Sequence, residues 1–580
     1  MSDEEWTRMS EKQLTNPKGI DDFRELRERH KYYVDKTMLI KEFINYDDKV
    51  SLITRPRRFG KTLNMTMLRD FFDINAKSED IFAGLAVMDT EHVNQMNSRP
   101  VVFLSFKSCS GADLEKLKVS LAMVMKYEYF KYEEILSDSK KVDWKSNHYY
   151  EFYQTYVAFR NLMAAKNEEK KIDDTTLKRS LVVLTRVLTT FYGQKPLLLI
   201  DEYDQPLINA HEEGFREAFS KGIYADFLGD ALKGNTYLHQ ALLTGIQRVA
   251  KESIFSKLNN FDVYTVTDDE YAYYFGFTDD ETKKALTDHR IVHDEEVRRY
   301  YDGYHIGGYD IYNPWSISCY LSKKKLIPYW ANTSSNRLIK EAIPKAEKSF
   351  HIDFERLILD KEVRVSSNLE TSFVELATPQ TLWGLLVNAG YLTVTKVFRS
   401  GATRVKIPNE EVKKEFREIV AAYTQVSTNQ LEDLFNALID QEMEEFLRLY
   451  QALVYDYVSF HDVKDGENSK HLENSYHMLF LGMSISVSGM YEITSNLEAG
   501  RGRGDISMKS FQPELRPHII VELKEGDNVR KLKQEALDQI FEKKYYVKLK
   551  GSVLCVGLAH SMKECELVYK EILVNEYGEI

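Results

Sequence analysis

Ser51-Leu52-Ile53-Thr54-Arg55-Pro56-Arg57-Arg58-Phe59-Gly60-Lys61-Thr62 is the stretch on which the reading of this chain turns. A short apolar strand runs straight into a Gly-Lys-Thr turn, and from Leu63 to Phe72 apolar residues recur at helical spacing. Strand, loop and helix in that order bring backbone N–H groups and the positive end of a helix together, which is how proteins cradle phosphates. In the pattern G-x-x-x-x-G-K-[ST] the lysine reaches the terminal phosphates and the hydroxyl holds Mg²⁺. Gly60, Lys61 and Thr62 match it, while Arg55 stands in the place of the first glycine. Gly-Lys-Thr is common by chance, so the loop needs support from elsewhere in the chain.

Three further apolar runs supply it. Residues 100–106 and 241–244 read as strands, with long amphipathic patterns between about 111 and 192. Pro196-Leu197-Leu198-Leu199-Ile200 is continuously apolar, as a parallel strand buried on both faces should be, and ends at Asp201-Glu202. Asp201 could complete a Mg²⁺ shell with Thr62, and Glu202 could polarise an attacking water. Acids that merely cap a buried strand are the alternative. The run 241–244 finishes at Thr244 before Gly245, as expected where strand ends line a ligand crevice. Thr244 could sense a terminal phosphate. Arg248, one helical turn on, could supply charge in cis or across a subunit interface, or be an exposed helical arginine. The expected fold of this part is α/β, a P-loop NTPase unit on a parallel sheet, with ATP and Mg²⁺ as its ligands.

The far end carries different chemistry. His518 to Lys524 has polar ends and an apolar centre, and strand alternation puts Glu522 and Lys524 on one face; Ile506 to Met508 continue a strand after Asp505. Asp505 and Glu522 would bind Mg²⁺ through hard oxygen ligands while Lys524 positions or helps deprotonate a water, which is the chemistry expected of a Mg²⁺-dependent nuclease site. Glu473, on a helix-like stretch upstream, could complete the metal site. Arg501 and Arg503 could contact phosphates or simply cap a hairpin. Residues 501–550 hold 12 Lys and Arg against 8 Asp and Glu in a chain of net charge -12, so any nucleic-acid contact is expected to be local. Glu-Leu-Lys on an edge strand is also a common solvated pair, and only the order of the surrounding elements raises it above that.

Other stretches extend the pattern: Tyr33-Val34-Asp35-Lys36-Thr37, Leu199-Ile200-Asp201-Glu202-Tyr203-Asp204, Leu243-Thr244-Gly245-Ile246, Tyr301-Asp302-Gly303-Tyr304, Tyr312-Asn313-Pro314-Trp315-Ser316, Tyr329-Trp330-Ala331-Asn332-Thr333 and Gly390-Tyr391-Leu392-Thr393. With them, the chain resembles over nearly its whole length the bacterial AAA-ATPase-like proteins that carry a PD-(D/E)XK nuclease domain at the C-terminus. In that family the phosphate loop is usually arginine-rich. The resemblance therefore implies that Arg57 and Arg58 bind nucleotide with Gly60, Lys61 and Thr62. It also implies a restriction-endonuclease-like α/β fold at the C-terminus, with Asp505, Glu522 and Lys524 as the D…E-x-K set and Gly504 where the family name has Pro. Glu473 corresponds to the first-helix acid, and Gln539 with Tyr545 to the Gln/Tyr element of the RecB-like branch, on the nucleic-acid side.

At 580 residues the chain exceeds a single core and should form roughly three or four domains. The expected parts are a P-loop domain over 1–265, a mainly helical lid and connector over 266–450, and a nuclease-like domain over 451–580. The aromatic cluster from Tyr300 to Trp330 reads as core, with base stacking the alternative. The start has no signal-peptide pattern and no apolar run approaches a membrane span, so a cytoplasmic protein is expected. Cys109, Cys319, Cys555 and Cys565 lack metal-site spacing and should be reduced, buried thiols. The expected function is ATP hydrolysis coupled to Mg²⁺-dependent cleavage of nucleic acid, DNA before RNA, with homo-oligomerisation left open. The alternative is a nucleotide-switched binding module with an inactive nuclease fold.

Overall fold

Alternation along the apolar runs builds the first sheet. The computed structural model describes residues 17, 19–137, 146–166, 170–247, 261–292, 295–330, 350, 353–354, 356–357, 362–366, 379–416, 428–462, 472–487, 489–499, 502–562 and 564–579. In chain order come β1 (Val50–Thr54), α1 (Lys61–Phe72), β2 (Val101–Ser105), α2 (Leu114–Lys131), α3 (Asn147–Ala164), α4 (Asp174–Tyr192), β3 (Leu197–Asp201), α5 (Ala225–Leu232), β4 (Ala241–Gly245) and β5 (Asp262–Tyr264). The strands pair in parallel in the order β2-β3-β4-β1-β5. Every residue of β1, β3 and β4 is buried. Leu198 and Ile200 pack with α2, α3, α4 and α5, whereas Leu197 and Leu199 pack with α1. Each such side chain contributes about 2 kcal/mol by leaving water. The strand order sets β4 between β1 and β3, so Thr244 ends beside both the phosphate loop and the acids of β3. The edge strand β5, only three residues long, is too short for apolar patterning to reveal.

By packing, the chain forms two compact units, Met1–Ser334 with Arg364–Glu411, and Ser335–Val363 with Val412–Ile580. The packing thus runs past the expected boundary at 265. In the first unit the expected helical connector also contains short strands: β6 (Phe277–Thr278), α6 (Asp279–Asp288), α7 (Glu295–Tyr301), β7 (Tyr304–Ile306), β8 (Tyr309–Tyr312), α8 (Pro314–Lys323), α9 (Pro379–Ala389), β9 (Thr393–Val397) and β10 (Thr403–Lys406). Thr278 and Glu281 close a capping box on α6, and Asn313 caps α8 with Pro314 at its first position. Tyr301, Tyr304, Tyr312, Tyr329 and Trp330 are buried, which favours core over base stacking for this cluster. Lys36 of the Tyr-Val-Asp-Lys-Thr stretch pairs with Glu281 at 2.6 Å, nearly out of water. That motif ties the N-terminal segment to the start of α6.

The second unit contains α10 (Thr428–Ile439), α11 (Met443–Asp462), α12 (Leu472–Ser484), β11 (Tyr491–Ala499), β12 (Gly502–Ser510), β13 (His518–Glu525), α13 (Val529–Lys543), β14 (Gly551–Ser561) and β15 (Glu564–Val574). Its sheet runs β11-β12-β13-β14-β15, with β13 and β14 parallel and the other pairs antiparallel. Ile519, Val521 and Leu523 pack under Phe435, Phe446 and Phe480 of the helices, while Ile520 packs with Leu537 and Ile540 of α13. Residue 450, the expected boundary, lies inside α11. This helix pair has no core of its own and buries its apolar side on the C-terminal sheet. All four cysteines are buried and none is in a disulfide.

Candidate active sites

At the end of β1 the chain turns with Arg58 at φ 69° and Gly60 at φ 81°. Gly60 caps α1 in a left-handed conformation that a side chain would strain. Lys61, 7% exposed, donates to the carbonyls of Arg55 at 2.9 Å and Pro56 at 2.8 Å. Burial pulls its pKa down, against the raising influence of Glu202, Asp201 and Asp204. Thr62 donates to Oδ2 of Asp201 at 2.7 Å, and Thr244 to Oδ1 at 2.6 Å. Asp201 is fully buried. A hydroxyl and a carboxylate touching at the first turn of a helix are hard oxygen donors of the kind Mg²⁺ takes. Glu202 follows at φ 54°, a conformation that costs energy for a non-glycine residue and is common at functional sites. Burial, then Asp201, raises its carboxyl pKa.

Arg57, Arg58, Gly60, Lys61, Thr62 and Glu202 line a cavity of about 400 Å³ that has Phe277 and Trp315 on its wall. Neither Thr244 nor Asp201 lines it; both connect to the cavity wall through Thr62, which shares Asp201 with Thr244. Arg248 lies outside the described residues. Arg55, where the general motif has glycine, is fully buried and donates to the carbonyls of Thr54, Tyr264 and Thr265 at 2.9, 3.1 and 2.7 Å. It straps the loop to the end of β5, and burial pulls its pKa down to about 10. Asp204, which sequence reasoning passed over, accepts from the backbone N–H groups of Ile246 at 2.9 Å and Gln247 at 3.0 Å. It fixes the chain just after Thr244.

In the second sheet, Ile506 faces Val521 across β12 and β13, which brings Asp505 beside Glu522. The Asp505 N–H donates to Glu522 Oε2 at 3.1 Å, and Leu523 N–H donates to Asp505 Oδ2 at 2.8 Å. Lys524 donates to Oε1 of Gln539 at 2.8 Å, while the Gln539 amide donates to Glu522 Oε1 and, at 3.1 Å, to the Tyr545 hydroxyl. Gln539 and Tyr545, expected on the nucleic-acid side, thus join the acids and the lysine in one network. Burial raises the pKa of Asp505, and burial followed by the Asp505 charge holds Glu522 up at about 8. Two carboxylates forced together out of water favour a divalent cation, which suits Mg²⁺ to this donor set. Among the described residues no group of three His, Cys, Asp or Glu side chains gathers as a metal site. Glu473 is on α12, but its side chain, like that of Arg503 on β12, lies outside the described residues, as does Arg501 entirely. Sequence reasoning also passed over His477, whose Nε2 is 3.2 Å from the Asp505 carbonyl. Its place one turn after Glu473 was the available signal.

Residues 17–255 match the family model described as "Predicted AAA-ATPase", and residues 471–570 match that of the PD-(D/E)XK nuclease superfamily. An Azotobacter chroococcum mcd 1 protein, named "Uncharacterized protein in vnfD 5'region", is 27% identical over 428 residues, 71% of this chain and 70% of that protein. The Walker-type ATPase PABY2304 of Pyrococcus abyssi is similar at 12% identity and a TM-score of 0.35, over 69% of this chain and 97% of that one. The chain therefore joins an AAA-ATPase-like domain to a C-terminal domain of the PD-(D/E)XK nuclease superfamily.

Proposed function

We propose that this protein binds and hydrolyses ATP with Mg²⁺ and couples that reaction to Mg²⁺-dependent cleavage of nucleic acid, DNA before RNA, in the cytoplasm. The observation that carries the reading is Asp201 taking hydroxyls from Thr62 and Thr244 beside the phosphate loop, in a chain whose second unit gathers Asp505, Glu522 and Lys524 in one network. Lys61 places a buried cation at the loop, where it offsets phosphate charge. Glu202, with its raised pKa, is suited to hold a water that attacks the terminal phosphate. In the second unit Gln539 fixes the Lys524 ammonium beside the acids, aligned to orient a water and to offset charge on a scissile phosphate. Mg²⁺ held by Asp505 and Glu522, or by Thr62 with Asp201, would supply charge against phosphate oxygens and, at the nuclease site, lower the pKa of a bound water. The test is incubation of the purified full chain with supercoiled and linear DNA, with and without Mg²⁺ and ATP. ATP turnover with metal-dependent cleavage supports the reading. DNA that is retained and never cut, with ATP still bound, would leave the binding-module alternative.

A further inference from the structure

The residues that grip the phosphate loop from outside converge on one buried carboxylate. Glu411, fully buried, accepts at Oε1 from the backbone N–H groups of Tyr329 at 2.6 Å and Trp330 at 2.7 Å, and at Oε2 from the Ser316 hydroxyl at 2.7 Å. Each of these segments holds an arginine of the loop. Trp330, 1% exposed, donates its indole N–H to the Arg57 carbonyl at 3.3 Å. Trp315, next to Ser316, lies under the Arg58 guanidinium at 4.4 Å. Gly390 completes the grip, since a Cβ there would lie 2.9 Å from Pro56 and 3.4 Å from the Trp330 ring.

We propose that Glu411 and Trp330 are positioning residues for nucleotide binding: Glu411 aligns the two segments that hold Arg57 and Arg58, and Trp330 fixes the loop carbonyl between them. The proposal rests on the assignment of ATP to this loop and adds the residues that set its shape. Lys61 takes the carbonyls of Arg55 and Pro56 from the inside, and Trp330 takes that of Arg57 from the outside. Three successive loop carbonyls are thereby each held by a side-chain donor, which fixes the course of the turn whose N–H groups would face phosphate. The chain passes into the second unit directly after Glu411 and soon after Trp330. The residues that shape the loop therefore stand where the chain leaves its unit.

Equilibrium binding of Mg–ATP to the full chain tests this, with thermal unfolding measured alongside. Trp330→Phe keeps the buried ring and removes only the donor to Arg57, so ATP should bind about fivefold more weakly with little change in Tm. Trp383→Phe, at another buried tryptophan of the unit, is the control and should bind like wild type. Glu411→Ala leaves three donors without their acceptor and should weaken ATP binding by about tenfold or more. Glu411→Gln keeps an acceptor for both N–H groups and can donate to Ser316, and should restore binding. If Trp330→Phe and Glu411→Ala bind ATP as wild type does, or Trp330→Phe weakens it no more than Trp383→Phe, the proposal is overturned. If wild type itself does not bind ATP, the nucleotide assignment falls and the positioning role falls with it.

Discussion

Thr244 donates its hydroxyl to Asp201 at 2.6 Å across neighbouring strands β3 and β4, and so occupies the carboxylate oxygen that Thr62 leaves free. The acid is read by the phosphate loop on one side and by the end of β4 on the other. Its position is over-determined, and each partner's loss should propagate to the others.

Asp201→Asn replaces one acceptor oxygen with a donor facing a hydroxyl. It should weaken Mg²⁺-dependent ATP binding by about tenfold or more, since a charged hydrogen bond contributes ~1.5–3 kcal/mol. Glu202→Gln should leave binding near wild type and slow turnover. ATP binding and turnover measured on both variants check the division of roles, and identical behaviour would refute it.

Lys61→Ala removes a buried cation together with the donor to two loop carbonyls. ATP turnover should fall below detection and binding should weaken. A folded Lys61→Ala protein with wild-type turnover would place the nucleotide chemistry elsewhere.

The first unit should lose stability as pH rises towards and past neutrality. Burial lifts the Glu411 carboxyl from 4.5 to about 7, so the folded state holds its proton more tightly than the unfolded chain does. That contribution is fully present below about 4.5, declines as pH rises and is lost through about 7. At ~1.4 kcal/mol per tenfold change in proton affinity it amounts to about 3 kcal/mol. Unfolding of wild type and Glu411→Gln between pH 5 and 8 checks it; the variant should lack this part of the slope, and equal slopes would refute the assignment.

Asp505→Ala, Glu522→Ala and Lys524→Ala should each reduce metal-dependent cleavage by about 10³-fold or more, and double variants should resemble single ones, because groups that act as a unit are not additive. Asp505→Ala should also weaken Mg²⁺ binding, whereas Lys524→Ala should retain metal and cleave slowly. Gln539→Ala should resemble Lys524→Ala, since it releases the ammonium. Cleavage assays with folding and DNA retention checked in parallel give the readout. Equal cleavage by all variants would place the activity outside this cluster.

Local pattern alone determined a good deal. The apolar runs at 51–54, 196–200 and 241–244 became β1, β3 and β4, within a residue at their ends, because a strand buried on both faces is apolar along most of its length. Period-two alternation placed Glu522 and Lys524 on one face, and both reach Gln539. The capping box at Thr278 and Glu281 is local in the same way, since its four residues are consecutive. What sequence could not supply was everything that depends on which distant segments meet. The order β2-β3-β4-β1-β5 decides that Thr244 touches Asp201, and no local periodicity encodes strand order. Arg55 looked like a departure from a motif until β5 brought carbonyls to it from more than 200 residues away. Glu411 carried no motif at all. Its importance comes from burial beside Ser316, Tyr329 and Trp330, and a carboxylate out of water is set by its surroundings in space, which only the folded chain assembles.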